Sequence, residues 1–201
     1  MSWIKTISYA EAKGTLKKLY DRVKGPNDSV DNVLKIHSLR PHTLTGHMAI
    51  YKNVLHNSSN TLPKWYLEAL GIYVSELNGC DYCVQHHQAG FERIYPDKEK
   101  AKLLIQVIRD DNLEAFFDAK FLSGFSYARE LTQSHKNITE RSIETLRDEG
   151  MDDGQILEIN QVVSYFNYVN RVVLGLGVNT KGDILGLSPS DNNNSKNWNH
   201  S

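Results

Sequence analysis

Cysteine is nearly absent from this chain of 201 residues: there are two, Cys80 and Cys83. A disulfide framework is therefore excluded, and the length is ample for one core without staples. Charge of one sign is lacking too. The 23 basic and 24 acidic side chains give a formal net charge of -1. That balance carries no electrostatic footprint for nucleic acid or a membrane surface. No apolar run reaches the ~18 residues that a spanning helix needs. The opening Met-Ser-Trp-Ile-Lys has no signal-peptide apolar region. A reducing cytoplasmic compartment is expected, where an isolated C-x-x-C is redox-active or metal-binding more often than structural. Period-two alternation is also missing, so no segment argues for a strand.

What remains is helical periodicity, and the expected fold class is all-α. The spacing predicts helices over 8–24, 41–56, 63–77, 80–94, 98–109, 120–134, 139–150 and 152–176. Gly25-Pro26 stops the first, and Pro63 sits in the opening turn of the third. Asp97 is read as an N-cap. Residues 1–187 are expected to form a single helical domain. Residues 188–201 are polar and of low complexity, and are read as a disordered tail. Ser75-Glu-Leu-Asn78 is faintly echoed by Ser164-Tyr-Phe-Asn167, which raises an internally duplicated helical unit. The helices over 63–77 and 152–176 are apolar nearly all round. Such helices are buried in a core or at a subunit contact, and a homo-oligomer is the expectation.

The chemistry is concentrated in Glu76-Leu-Asn-Gly-Cys80-Asp-Tyr-Cys83-Val-Gln-His86-His87. Asn78-Gly79 is a turn signal, so a helix is expected to begin near Cys80. On that helix Cys80, Cys83 and His87 share one face. Its free N–H groups and dipole favour thiolate over thiol. Zinc would need a fourth ligand. His86 lies about 100° round the helix from His87, and the chain has no second C-x-x-C. Thiol redox chemistry is the stronger alternative. It needs two sulfurs that can meet, a base and an acid. His87 and a carboxylate are the candidates, and periodicity does not choose between Glu68 and Glu76.

Glu68, eleven intervening residues, Cys80-x-x-Cys83 and then x-x-x-His87 resemble the signature of the alkylhydroperoxidase D-like proteins. These belong to the carboxymuconolactone decarboxylase superfamily. The resemblance runs from 41 to 94, and the run from Phe166 to Gly177 resembles the ending of its peroxidase-related branch. It implies an all-helical bundle, trimers or dimer-based hexamers, and a peroxidase that needs no cofactor or metal. Carried over by position, Cys83 would become the sulfenic acid and Cys80 would be its partner thiol and proton donor. Glu68 and His87 would form the proton relay. The implied partners are a peroxide substrate and a thiol, lipoyl or thioredoxin-type reductant. Tyr82 departs from members with a histidine between the cysteines, and neutral tyrosine cannot be the base. The decarboxylase branch characteristically lacks the cysteine pair. Other readings are a non-peroxidase thiol–disulfide oxidoreductase or redox sensor, and a helical scaffold.

Overall fold

The computed structural model describes residues 2–187. Among them there are nine α-helices and no strand. In chain order these are α1 (Gly14–Val23), α2 (Asn32–Lys35), α3 (Pro41–Leu55), α4 (Lys64–Leu77) and α5 (Asp81–Ile94). There follow α6 (Lys98–Arg109), α7 (Ala119–Gln133), α8 (Glu140–Asp148) and α9 (Asp153–Gly175). The expected polar tail over 188–201 lies outside the described residues.

Capping residues set most of the boundaries. The Asp97 carboxylate accepts from the Glu99 and Lys100 N–H groups at the start of α6. Asp118 accepts from Phe121 N–H for α7, and Asp152 from Gln155 N–H for α9. Each satisfies N–H groups that a helix start leaves open. The first helix departs from the sequence reading. Residues 8–12 form a hydrogen-bonded turn closed by Ser8 O, and α1 begins only at Gly14. Short α2 has no apolar stripe of its own and escapes a reading by periodicity.

Helix α4 is the central element. Every residue from Tyr66 to Ser75 is buried, packed against α5, α7 and α9 of the same chain. Its apolar surround therefore lines the core, and it offers no face to a second copy. Gly71 is what lets α9 approach. A Cβ there would stand 2.1 Å from the Phe166 ring. A second cluster joins α1, α2 and α3 through Leu16, Tyr20, Leu34, Leu44 and Met48. The two echoed segments differ locally. Asn78 ends α4, whereas Asn167 lies inside α9, which continues to Gly175.

Residues after α9 fold back across α2 and α5. The Asp183 carboxylate accepts from Asn32 N–H at 3.0 Å and from the Tyr82 hydroxyl at 2.7 Å. Arg93 donates to Leu185 O at 2.9 Å and also to Gly186 O. No helix among the described residues is long and apolar enough to cross a membrane.

Candidate active site

The turn between α4 and α5 builds the site. Gly79 adopts φ +66°, a left-handed conformation that side chains disfavour. Cys80 N–H bonds back to Ser75 O at 2.9 Å. The chain reverses there and Cys80 becomes the N-cap of α5. Cys83 follows one turn on. The two free thiols are buried, with sulfurs 2.8 Å apart.

The pair is electrically asymmetric. The hydrogen bond shared with Cys83 pulls the Cys80 pKa below the ordinary thiol value. Burial opposes this, while the Cys83 N–H and the Asn170 amide assist. Cys83 is pushed well above the ordinary value by its bond to Cys80, by burial and by the Cys80 charge. Of the two, Cys80 is therefore the thiol that ionises more readily, at the end of α5 where open N–H groups favour a thiolate. Cys83 is positioned by its sulfur contact with Cys80.

His87 turns its Nδ1 to Glu68 Oε2 at 2.7 Å. Two antiparallel helices thus bring together a Glu and a His nineteen residues apart. Burial opposes ionisation of Glu68, but the charge and hydrogen bond of His87 prevail and hold its pKa below the ordinary carboxyl value. With Nδ1–H committed to the carboxylate, Nε2 is the nitrogen free to exchange a proton. The ring lies edge-on to Phe166, centroids 4.6 Å apart. Gly71 therefore positions His87 indirectly, through Phe166. Glu76, the other candidate, pairs with Arg109 at 3.2 Å on the surface.

Asn170 escaped the sequence reading. It is fully buried in α9, accepts from Asn78 Nδ2 at 3.0 Å and donates to Ser75 Oγ at 3.1 Å. Its amide lowers the pKa of both thiols. A polar residue flanked by Val169, Val172 and Val173 was the available signal. Tyr82 packs on His86 and bonds to Asp183, so it anchors the returning segment. Among the described residues no group of three or more His, Cys, Asp and Glu could hold a metal ion.

An all-helical bundle that buries a C-x-x-C pair at a helix start, beside a Glu–His pair, defines a class of thiol protein. Its fold is that of the alkylhydroperoxidase D-like proteins. No family model matches the chain, and no curated protein matches it. Solved structures do. An uncharacterized peroxidase-related protein of Silicibacter sp. TM1040 is 25% identical, over 83% of this chain and 87% of its own, with a TM-score of 0.71. One from Ralstonia eutropha JMP134, described as an alkylhydroperoxidase AhpD core, is 22% identical. It covers 94% of this chain and 98% of its own, with a TM-score of 0.76. The debrominase Bmp8 is 13% identical over 88% of this chain and 91% of its own, at a TM-score of 0.71. The fold therefore does not by itself fix the reaction.

Proposed function

We propose that the protein is a thiol peroxidase that reduces hydrogen peroxide or organic hydroperoxides through Cys83 and Cys80. The observation that carries the reading is the sulfur–sulfur approach of 2.8 Å next to a Glu68–His87 pair at 2.7 Å. Two thiols that already touch can close a disulfide without moving the backbone.

Cys83 passes its proton to the Cys80 thiolate, and its own thiolate attacks the terminal peroxide oxygen. The O–O bond breaks. The departing alkoxide takes the proton back from Cys80, giving the alcohol and a sulfenic acid on Cys83. The Cys80 thiolate then attacks the Cys83 sulfur and expels hydroxide, which takes a proton delivered through His87 and Glu68. One peroxide and two thiols thus become an alcohol, a water and a disulfide. An external dithiol, lipoyl group or thioredoxin-type protein restores the thiols.

The lowered pKa of Cys80 supports a second reading, in which Cys80 attacks and Cys83 resolves. Either way the protein works as a cytoplasmic homo-oligomer. The neighbours described as peroxidase-related favour peroxide over the debrominase's chemistry. Steady peroxide consumption by the reduced protein with excess dithiothreitol tests the proposal. Disulfide exchange without peroxide turnover would point to a thiol–disulfide oxidoreductase. A redox-dependent change of oligomer size without either would point to a scaffold.

A further inference from the structure

The two echoed asparagines meet. Asn78, at the end of α4, donates from Nδ2 to Asn167 Oδ1 of α9 at 3.2 Å. The neighbours of Asn167 fix which end of its amide is which. Val163 O, which only accepts, takes a hydrogen bond from Asn167 Nδ2 at 3.0 Å. The Arg171 guanidinium, which only donates, gives one to Asn167 Oδ1 at 2.8 Å. Asn78 must therefore turn its own Nδ2 toward them, and that nitrogen also donates to Asn170 Oδ1 at 3.0 Å. The Nδ2 of Asn170 is in turn 3.1 Å from Ser75 Oγ. Ser75 gives its hydroxyl proton to Gly71 O at 2.8 Å, so it accepts from Asn170.

An amide nitrogen carries two protons, and the bond to Ser75 uses one. The second N–H of Asn170 belongs to a fully buried residue, where a donor without a partner is costly. The thiols are its neighbours. Cys80 N–H bonds to Ser75 O at 2.9 Å, so Ser75 holds both the amide and the cysteine turn. The Asn170 side chain pulls the pKa of both sulfurs down. For Cys83 it acts against burial, the bond to Cys80 and the Cys80 charge, all of which push up. The charged neighbour Asp81 pushes Cys80 up as well. Asn170 is a donor that brings no charge of its own into the core and does not titrate.

We infer that Asn170 is a catalytic residue of the thiol pair, its second amide N–H donating to whichever sulfur is anionic, and that Ser75, Asn78 and Asn167 are positioning residues that aim it. A thiolate accepts such a bond more strongly than a thiol, so the donor favours ionisation. When Cys83 passes its proton to Cys80, the negative charge moves to Cys83 and the same N–H follows it. When the Cys80 sulfur bonds to Cys83 and hydroxide leaves, neither sulfur is anionic and the bond to the amide lapses. No proton leaves the amide, so proton transfer stays with His87 and Glu68. The inference rests on the thiol-peroxidase reading for this order of steps, but the hydrogen bond itself requires no peroxide.

The test is a pH titration of the reduced protein, following the ultraviolet absorbance of the thiolate with the oxidised protein as the blank. Asn170→Ala should raise the first thiol midpoint by about one pH unit, a tenfold loss of thiolate below it. Asn78→Ala, at a half-buried position, should raise it by less, because the amide then loses its aim and keeps its donor. Val169→Ala thins the same turn of α9 without touching the amide, and should leave the midpoint where it is. No rise in Asn170→Ala, or an equal rise in Val169→Ala, would overturn the inference. If Asn170→Ala does not fold, Asn78→Ala against Val169→Ala decides it on the same terms. A raised midpoint, with no peroxide consumption by the unmodified protein, would keep the Asn170 bond and sink the peroxidase reading. Peroxide consumption with an unmoved midpoint would sink the Asn170 bond alone.

Discussion

Glu68 Oε2 and His87 Nδ1 stand 2.7 Å apart across the α4–α5 hairpin, inside a nearly closed core. A buried carboxylate is costly unless paired, and here the partner is His87 of the C-x-x-C helix. The pair has a consequence for turnover. Glu68→Gln and His87→Gln should each slow peroxide reduction by roughly a hundredfold or more, the usual scale for losing a positioned acid or base. Glu76→Gln should leave the rate almost unchanged, because Glu76 is spent on Arg109 at the surface. Steady-state kinetics of the three variants checks this. A damaging Glu76→Gln beside a silent Glu68→Gln would contradict it.

The cysteines should separate by substitution. Cys83→Ser should abolish peroxide reduction. Cys80→Ser should leave a sulfenic acid on Cys83 that dimedone traps, with little turnover. The trapped adduct located by mass spectrometry decides the matter. Trapping at Cys80 in the Cys83→Ser protein, with none in Cys80→Ser, would give the two cysteines each other's roles.

Acid should destabilise the fold through its buried histidines. The folded values for His47 and His56 are about 3 and about 4, below the ordinary ~6.5. As pH falls through ~6.5 the unfolded chain takes up protons that the folded chain refuses. The stability is full above that pH and is lost progressively toward about 4. His47→Gln, which cannot charge, should flatten this loss. Thermal melting between pH 8 and pH 4 measures it, and equal slopes for the two proteins would contradict the account.

Much of this architecture was legible in the sequence because apolar periodicity and capping residues both act locally. Helices α3 to α9 start and stop within a few residues of where Pro63, Asn78-Gly79, Asp97 and Asp152 place them. Residues 8–12 misled because an amphipathic pattern does not distinguish a turn from a helix. The Glu68 and Glu76 alternatives could not be separated by spacing alone. Family resemblance favoured Glu68, and packing across the hairpin puts that carboxylate against His87 and Glu76 against Arg109. Asn170 was invisible because its role comes from contact with Ser75 and Asn78, some ninety residues earlier. The charge asymmetry of the thiols was hidden for a related reason. It depends on how deeply each sulfur is buried and what it contacts, and spacing does not encode that.

Assembly should use α9 and not α4. The latter is spent on the monomer's own core, whereas Tyr168 and Leu174 of α9 remain 44% and 43% exposed. Sedimentation equilibrium at micromolar concentration should show at least a dimer, and Tyr168→Glu should weaken it. A stable monomer near 22.9 kDa would refute this assembly.

The central claim is that Cys80 and Cys83 exchange electrons with peroxide as a pair. It is tested most directly by titrating the reduced protein with hydrogen peroxide and weighing the peptide that spans 80–83. The account predicts loss of two hydrogens at one peroxide per chain, reversed by dithiothreitol. Stoichiometric zinc on the reduced protein, with the pair inert to peroxide, would contradict it.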